Sequence, residues 1–304
     1  MVLLILLFIF MSGLKAALDL VGLPFDLRVL LQPSTVFLHQ LCLDQTETFN
    51  NQSEAAAALV CGHQIESLDL QTLFASSGLI HLLVVSGSHL LVMDKGFNFF
   101  RLKPALKLTL LFIFVLVCEM NAPIMRSFMA MLVAGFVKSK KWAWSASFNQ
   151  WVTSFLCLVI NPLWIFSLSF QMSWMASLCL DIASHSFTEE KLKQSLVRLF
   201  LIYFSFVFIS CFLGFPSAWA PLLGLALSPV LELILFPSAL LGCLIPPLSF
   251  VFDSLFSLLT HFILLFNPEK YFPFYLQRET SIYLNSFMII LLLMIQMKWA
   301  RVKS

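Results

Sequence analysis

Apolar residues dominate the chain from Phe74 onward, in runs that lack the polar face of a soluble helix. A membrane-spanning helix needs about 20 apolar residues in succession. The pattern therefore predicts an all-α fold, a polytopic bundle of transmembrane helices with broken or re-entrant members, because several runs are short or interrupted by Gly and Pro. The candidate spans are Phe74–Met93, Leu106–Met120, Ile124–Val137, Phe148–Ile160, Leu163–Leu180, Leu199–Phe215, Ala218–Phe236, Ser238–Phe252, Leu255–Phe266 and Ile282–Met297.

The regions before and after these spans differ in polarity. Residues 1–14 form an apolar helix without the basic start and small-residue cleavage site of a secretory signal, which favours a short membrane helix over a cleaved leader. Residues 15–72 are polar and mainly acidic, with a predicted loop at Thr46–Ser53 and a short helix at Ala55–Val60. Residues 73–298 form the transmembrane domain, and residues 299–304 a basic tail.

The basic residues predict the orientation of the chain, because Lys and Arg in short loops favour the cytoplasm. On this basis the acidic segment 15–72 is extracytoplasmic and the tail 299–304 is cytoplasmic. Beyond Arg198 an odd number of apolar segments precedes Lys298, so one of them is predicted not to cross; Ala218–Phe236, which contains two prolines, is the best candidate. The basic clusters are Lys95, Arg101, Lys103 and Lys107; Lys138, Lys140 and Lys141; Lys191, Lys193 and Arg198; and Lys298, Arg301 and Lys303.

Composition excludes an ordinary soluble domain. Hydrophobic residues make up 60% of the 304 residues and charged residues 11%, whereas soluble domains carry about 25% charged residues. The sequence contains neither a phosphate-loop motif nor a Cys/His cluster, so no cofactor and no metal are predicted. Cys42 and Cys61 lie in the polar segment, where a disulfide and two unpaired thiols are equally compatible with the sequence. The other five cysteines lie in apolar runs and are interpreted as small hydrophobes.

Polar residues inside the segment Ser77–Met93, SGLIHLLVVSGSHLLVM, are unusual in a run otherwise suited to lipid. If the segment is one helix, Ser77, His81 and Ser88 share a face. One interpretation is a kinked helix that lines a hydrophilic pathway, because polar side chains at membrane depth normally face a bundle interior or a watery cavity. The other is that the polar residues pack neighbouring helices together through hydrogen bonds.

Further polar residues within predicted spans include Arg126, Gln171 and Ser173. Arg126 follows a proline, and it is interpreted either as a cation that contacts a passing anion or as a residue that reaches the membrane interface. Gln171 and Ser173 are better explained as interhelical hydrogen-bonding groups than as ligands. A group of tryptophans follows the Lys138–Lys141 run; an interfacial aromatic belt explains them better than stacking on nucleic-acid bases. They are Trp142, Trp144 and Trp151.

Two stretches resemble the ComEC-type competence proteins. The first is EAAAALVCG at Glu54–Gly62, and the second is GLIHLLVVSGSH at 78–89. His63 and Ser88 differ from the Asp and Leu usual in that family. Weaker similarities follow at Ala122–Ser127, Asn161–Pro162, Ser169–Trp174 and Ser228–Pro237, so the resemblance covers about Glu54 to Phe252. Residues that fall on the matching positions of the second stretch are His81, Ser86, Gly87 and His89.

The resemblance implies an inner-membrane channel that takes up single-stranded DNA during natural transformation and cleaves no bond itself. The expected partners are then single-stranded DNA and the lipid bilayer. A separate nuclease and a separate DNA-translocating motor would complete the uptake system. Whether the chain assembles into a homo-oligomer stays open. The chain ends soon after its last span, so the metallo-β-lactamase-like domain of other family members is expected to be absent. The candidate residues lining the DNA pathway are His81, Ser86, Gly87, Ser88, His89, Arg126, Gln171 and Ser173.

Two other functions are compatible with the same residues. An intramembrane serine protease would use Ser86 or Ser88 with a histidine, although neighbouring residues such as Ser88 and His89 point apart on a helix. A degenerate relative without transport activity would account for the differences at His63 and Ser88.

Overall fold

The computed structural model describes residues 27–50, 52–77, 79–83, 86–167, 169–171, 173–175, 177–178 and 220–266. Every regular element in these residues is helical, so the all-α prediction is confirmed for this part of the chain. The described residues fall into two compact units. The first unit comprises those of 32–128 and 220–266, and the second those of 27–31 and 129–178. The predicted segments at 1–14, Leu199–Phe215, Ile282–Met297 and 299–304 lie outside the described residues.

The helices of the described residues range in length from 4 to 20 residues. In chain order they are α1 (Leu27–Thr46), α2 (Ser53–Ala56), α3 (Leu68–Ser76), α4 (Ile80–Leu83), α5 (Gly87–Phe99), α6 (Pro104–Val117), α7 (Ala122–Ser139), α8 (Ala146–Ile160), α9 (Ala220–Val230), α10 (Phe236–Leu244) and α11 (Ser249–Phe266). Two π-helical turns continue α2 and α9: π1 (Ala57–Cys61) and π2 (Leu231–Leu235). The 3₁₀-helices are Pro162–Phe166 and Pro246–Leu248, and the described residues between 169 and 178 are helical.

The polar segment is more helical than its composition suggests. Helix α1 occupies 20 of its residues. The loop predicted at Thr46–Ser53 and the short helix predicted at Ala55–Val60 are both confirmed, the latter as α2 followed by π1. A disulfide joins Cys42 on α1 to Cys61 at the end of π1, with 5.8 Å between the Cα atoms. The sequence alone left this pairing open.

An aromatic core holds the first unit together. The rings of Phe49 and Phe252 meet edge to face with centroids 5.3 Å apart, and Phe252 stacks on Phe256 at 5.5 Å. Phe256 in turn stacks on Phe74 at 5.5 Å. Gly242 on α10 permits this packing, because a Cβ there would lie 2.6 Å from the Phe49 ring. The loop after α1 is therefore fixed against α10 and α11 by ring packing.

The prediction of a single span at Phe74–Met93 is wrong. The segment contains the end of α3 at Ser76, the one-turn helix α4, and the start of α5 at Gly87. Because the helix is interrupted, Ser77, His81 and Ser88 do not form a common helical face. Ser86 has an extended backbone with φ −113° and ψ 168°, so the chain is broken at this point rather than merely kinked.

The predicted boundary between the segments Ala218–Phe236 and Ser238–Phe252 is also wrong, whereas the prediction that Ala218–Phe236 does not cross the membrane stays a prediction. Helix α9, π2 and α10 run without a break from Ala220 to Leu244. Pro237 follows the end of the π-turn by two residues. In a regular α-helix its ring would clash with the carbonyl four residues earlier, which here belongs to the π-turn, so the wider turn lets the helix continue. The break instead falls at Ile245–Leu248, before α11.

This redistribution turns the predicted segments Ala218–Phe236, Ser238–Phe252 and Leu255–Phe266 into two helical runs. Two stretches in the described residues are long and apolar enough to cross a membrane, Ala226–Leu244 and Pro246–Leu265. With one segment fewer, the number of apolar segments predicted between Arg198 and Lys298 becomes even.

The remaining described spans follow the sequence prediction. Leu106–Met120 corresponds to α6, Ile124–Val137 to α7 and Phe148–Ile160 to α8, each within a few residues. Ser145 begins α8 by accepting a hydrogen bond from the Phe148 N–H at 3.1 Å, as expected for an N-cap serine. The predicted span Leu163–Leu180 starts instead with the 3₁₀-helix, because Pro162 follows the end of α8.

Candidate functional site

The helix break at Ser86 is a local hydrogen-bonded structure. Its backbone N–H donates to Nδ1 of His89 at 2.9 Å. The Ser86 hydroxyl forms a hydrogen bond with the Ser88 hydroxyl. Serine is a preferred residue before the first turn of a helix, and Gly87 adds flexibility directly after it. The sequence SGSH thus ends one helical piece and starts α5 with its polar atoms largely paired.

His89 is completely buried, with 0% of its surface exposed. Because Nδ1 accepts a hydrogen bond from the Ser86 N–H, the neutral ring carries its own proton on Nε2. Among the described residues no hydrogen-bond partner reaches Nε2. The ring instead packs on Phe236, with centroids 4.5 Å apart. A buried donor without a partner is unfavourable by about 1–3 kcal/mol, so this position is not optimised for stability alone.

Gly87 brings the start of α5 against the first turns of α7. A Cβ at Gly87 would lie 2.0 Å from the Ser127 hydroxyl oxygen, 3.1 Å from Ser127 Cβ and 3.3 Å from the Pro123 carbonyl oxygen. Arg126, next to Ser127, is half-buried. The structure therefore gathers Ser86, Gly87, Ser88 and His89 close to the turn that carries Arg126.

The π-turn π2 forms another wall of this region, since it packs against α4 and α5. It carries Glu232, which is half-buried, and it leads into Phe236, which contacts both His89 and Phe114. Single π-turns within α-helices often occur at functional sites. Sequence analysis predicts neither the π-turn nor the contact between His89 and Phe236.

The other predicted site residues are placed differently. His81 lies on the one-turn helix α4, and its side chain lies outside the described part of the structure. Gln171 is 2% exposed and donates from Nε2 to the Ile165 carbonyl at 2.7 Å, a bond within its own segment. The carbonyl of Ser173 accepts a hydrogen bond from the Ser177 hydroxyl at 2.9 Å. Both belong to the second unit, so the structure does not gather them with Gly87 in one compact unit.

The family described as "Competence protein" matches residues 59–301 of the sequence. The chain belongs to this family. The match confirms the resemblance to ComEC-type competence proteins and supports a role in competence and DNA uptake. It includes the helix break, Arg126 and π2. Searches of curated proteins and of solved structures found no match.

Gly62, in the family motif, is the one glycine in the described residues with a positive φ, 75°. It ends π1 in the left-handed conformation that glycine adopts most easily. A Cβ there would lie 3.2 Å from Nδ2 of Asn121, which donates to the Gly62 carbonyl at 3.4 Å. The motif thus positions π1 on the connection between α6 and α7, directly before the Arg126 turn.

His63 is one of the positions that differ from the usual family pattern. The residues around it form a polar cluster outside the apolar helices. His63 Nε2 lies 3.7 Å from the Glu66 carboxylate, and its ring lies 5.9 Å from that of His39. His39 bonds through Nδ1 to the Val117 carbonyl at 2.8 Å. A histidine at position 63 therefore fits its surroundings in this chain.

Glu54 fixes the loop between π1 and α3. Its carboxylate accepts hydrogen bonds from the Ser67 N–H, at 2.7 Å, and from the Glu66 N–H. Burial raises the pKa of Glu54, but these hydrogen bonds and the nearby His63 outweigh burial and lower it below its ordinary value of 4.5. Acidic groups at the start of a helix also interact favourably with its dipole.

Proposed function

We propose that this competence protein is a multi-pass subunit of an inner-membrane channel through which single-stranded DNA enters the cell during natural transformation. The observation that carries the proposal is the helix break at Ser86–Gly87, docked on the α7 turn next to Arg126. The family match supplies the context of DNA uptake. Candidate pathway residues in the first unit are His81, Ser86, Gly87, Ser88, His89 and Arg126; Gln171 and Ser173 are candidates in the second.

Membrane physics supports this interpretation of the break. Irregular backbone at membrane depth is tolerated only where it is buried in protein or lines a water-filled cavity. A DNA strand carries one negative charge per phosphate, so its route needs cations to offset the loss of water. Arg126 provides a permanent positive charge close to the break. Ser88 is half-buried and supplies a hydroxyl next to it.

The proposed topology follows from charge. Residues 15–72 are extracytoplasmic, and the basic clusters and the tail are cytoplasmic, because Lys and Arg in short loops favour the cytoplasmic side. The orientation is tested by a cysteine at Asn50, an exposed position, in a background without Cys42 and Cys61. We expect an impermeant maleimide to label it in intact cells whose outer layers admit the reagent. Labelling only after the inner membrane is opened would reverse the topology.

The serine protease alternative is not favoured by the geometry of the break. A catalytic serine needs a base within hydrogen-bond reach of its hydroxyl. Here Nδ1 of His89 accepts the backbone N–H of Ser86, while the two serine hydroxyls bond to each other. We therefore propose that the chain is not an enzyme, and that a separate nuclease and a separate motor degrade one strand and pull the other.

The proposal is tested by deleting the gene and supplying fluorescent DNA. We expect the deletion strain to bind DNA at its surface but to accumulate no nuclease-protected label in the cytoplasm, and complementation with the intact gene to restore uptake. Normal uptake in the deletion strain would contradict the channel and favour the degenerate-relative alternative. Covalent labelling of Ser86 or Ser88 by a fluorophosphonate, with loss of function, would instead favour a protease.

A further inference from the structure

Helix α7 ends in a hydrogen-bond pattern that glycine normally completes. The Trp142 N–H bonds to the Val137 carbonyl and the Lys141 N–H to the Lys138 carbonyl, both at 3.1 Å. This is the Schellman arrangement, in which the residue after the helix adopts a left-handed conformation. That residue is Lys141, with φ 57°. A non-glycine residue is unfavourable here, because its Cβ approaches the following carbonyl oxygen.

Two other helix ends in the described residues show the same pattern with a charged residue in the left-handed position. Helix α5 ends with Arg101 at φ 53°, and α6 ends with Glu119 at φ 52°. The matching pairs of backbone hydrogen bonds are present at both ends. The charges alternate in sign along the chain, positive at Arg101, negative at Glu119 and positive at Lys141. This order matches helix ends that alternate between the cytoplasmic and the extracytoplasmic side.

The turn after α7 also carries a row of aromatic rings. Phe136 meets Trp142 edge to face at 5.5 Å, Trp142 stacks on Trp144 at 5.0 Å, and Trp144 meets Phe148 edge to face at 4.7 Å. Phe136, Trp142 and Phe148 are 51%, 46% and 49% exposed. We call Phe136–Phe148 the basic aromatic turn. Its apolar surface is exposed although the rings pack closely on one another.

The charge of the basic aromatic turn is unbalanced. Lys138, Lys140 and Lys141 are all exposed, and Lys140 Nζ lies 5.9 Å above the Phe136 ring. The sequence contains no acidic residue between Glu119 and Asp181. Helix α7, which precedes the turn, has 18 residues and so measures about 27 Å, close to the thickness of a bilayer core. A surface that combines these features suits the boundary between lipid and water.

We propose that the basic aromatic turn is a binding site for anionic lipid headgroups on the cytoplasmic face of the membrane. The lysine ammonium groups contact the headgroup phosphates, and the indole and phenyl rings occupy the boundary between headgroups and acyl chains. Lys141 keeps its charge at a position where glycine would give a more stable helix end. This lipid site shares with the proposed channel only the placement of α7 across the membrane, and it needs no DNA pathway.

Single-stranded DNA is the competing anionic ligand, and the ring geometry disfavours it. A base needs a free ring face on which to stack. Trp142 and Trp144 stack on each other, so each already has one face covered. Bases that stack between the two indole rings would have to separate them. Insertion into the boundary between lipid and water leaves the ring cluster intact.

The test uses tryptophan quenching by brominated lipids in nanodiscs that contain the full chain. The fluorescence of Trp142 and Trp144 is obtained by subtracting the emission of the Trp142→Phe/Trp144→Phe variant from that of the intact protein. Trp151→Phe is the matched control, because Trp151 packs edge to face on Trp174 within the second unit. We expect brominated phosphatidylglycerol to quench the turn's signal more strongly than brominated phosphatidylcholine. Lys138→Gln, Lys140→Gln and Lys141→Gln are each expected to lower this preference about fivefold or less.

Lys141→Gly is the most informative variant, because it is expected to weaken lipid binding and at the same time to stabilise the fold. It should lower the preference for phosphatidylglycerol while raising the midpoint of thermal unfolding. Equal quenching by both lipids in the intact protein, or an unchanged preference in Lys141→Gly, would overturn the proposal. Saturable quenching of Trp142 and Trp144 by a single-stranded oligonucleotide, without selective quenching by brominated phosphatidylglycerol, would assign the turn to nucleic acid instead.

Discussion

A β-carbon at Gly87 would lie 2.0 Å from the hydroxyl oxygen of Ser127, a separation that real Cβ atoms do not tolerate. The two residues are 40 positions apart in the sequence, yet their contact decides how closely the broken helix approaches α7. The break and the Arg126 turn therefore form one structural unit. A larger side chain at Gly87 should disturb both.

The first prediction uses this contact. Gly87→Leu should abolish DNA uptake, because no rotation of Ser127 makes room for a large side chain. Gly87→Ala should have a smaller effect, destabilising the packing by about 1–3 kcal/mol, since only one hydroxyl must move. The measurement is uptake of labelled DNA at matched membrane levels, with Ser86→Ala and Ser88→Ala as milder controls.

A double mutant distinguishes packing from other causes. Ser127→Ala removes the atom closest to the new Cβ, so it should partly restore uptake in the Gly87→Ala background while changing little by itself. Such a non-additive result is expected only for residues in direct contact. Additive losses would show that Gly87 acts through something other than Ser127.

The second prediction concerns Arg126. Arg126→Ala should insert stably but lose DNA uptake, because the pathway loses a permanent cation. Arg126→Lys should restore uptake partly, since an ammonium attracts phosphate without offering the two-pronged geometry of a guanidinium. Lys103→Ala, which removes an exposed charge in the α5–α6 connection, is the control. Wild-type uptake by Arg126→Ala would reduce this residue to an interfacial anchor.

The third prediction concerns the disulfide between Cys42 and Cys61, whose sequence separation is 19 residues. A loop of this size lowers the entropy of the unfolded chain enough to stabilise the folded state by about 3 kcal/mol. Replacing both cysteines by serine should therefore lower the unfolding midpoint, and reductant should affect only the parent protein. Mass analysis of non-reduced peptides checks the pairing directly; free thiols at both positions would refute it.

The fourth prediction follows from the lowered pKa of Glu54. A carboxyl group with a depressed folded-state pKa contributes stability above its unfolded pKa, and this contribution is lost as the pH falls through the folded value. Unfolding of the intact protein should thus become easier as the pH drops below the ordinary value of 4.5. Glu54→Gln should be less stable at neutral pH and show a smaller loss on acidification. Parallel pH profiles for both proteins would contradict this role.

Sequence reasoning found the chemistry of the site better than its geometry. The polar residues from Ser86 to His89 and the family motif around Gly62 are visible as local patterns, and the apolar runs locate α6, α7 and α8. By contrast, the contact between Gly87 and Ser127 joins distant positions, and Ser127 carries no signal beyond being small. Such contacts arise from packing, which a local pattern does not encode.

The misplaced helix boundaries have a similar cause. Pro221 and Pro229 predict an interruption of Ala218–Phe236, because proline removes a hydrogen bond and clashes with the preceding turn. In the structure, Pro221 lies in the first turn of α9, where proline is tolerated, and the helix passes Pro229 and continues through π2 to Leu244. The break occurs instead at Pro246 and Pro247, where the chain forms a 3₁₀-turn. Whether a proline ends a helix thus depends on the turn around it.

The central claim, that transforming DNA passes the helix break, is tested most directly by photocrosslinking during uptake. A photoreactive amino acid is placed at Ser88, or as a control at Leu91, which lies on the same helix and is 49% exposed. Cells that express either variant and still take up labelled DNA are illuminated while uptake proceeds. The account predicts that labelled DNA becomes attached to the protein from position 88 and not from position 91. Uptake without crosslinking from position 88, or equal crosslinking from both positions, would contradict it.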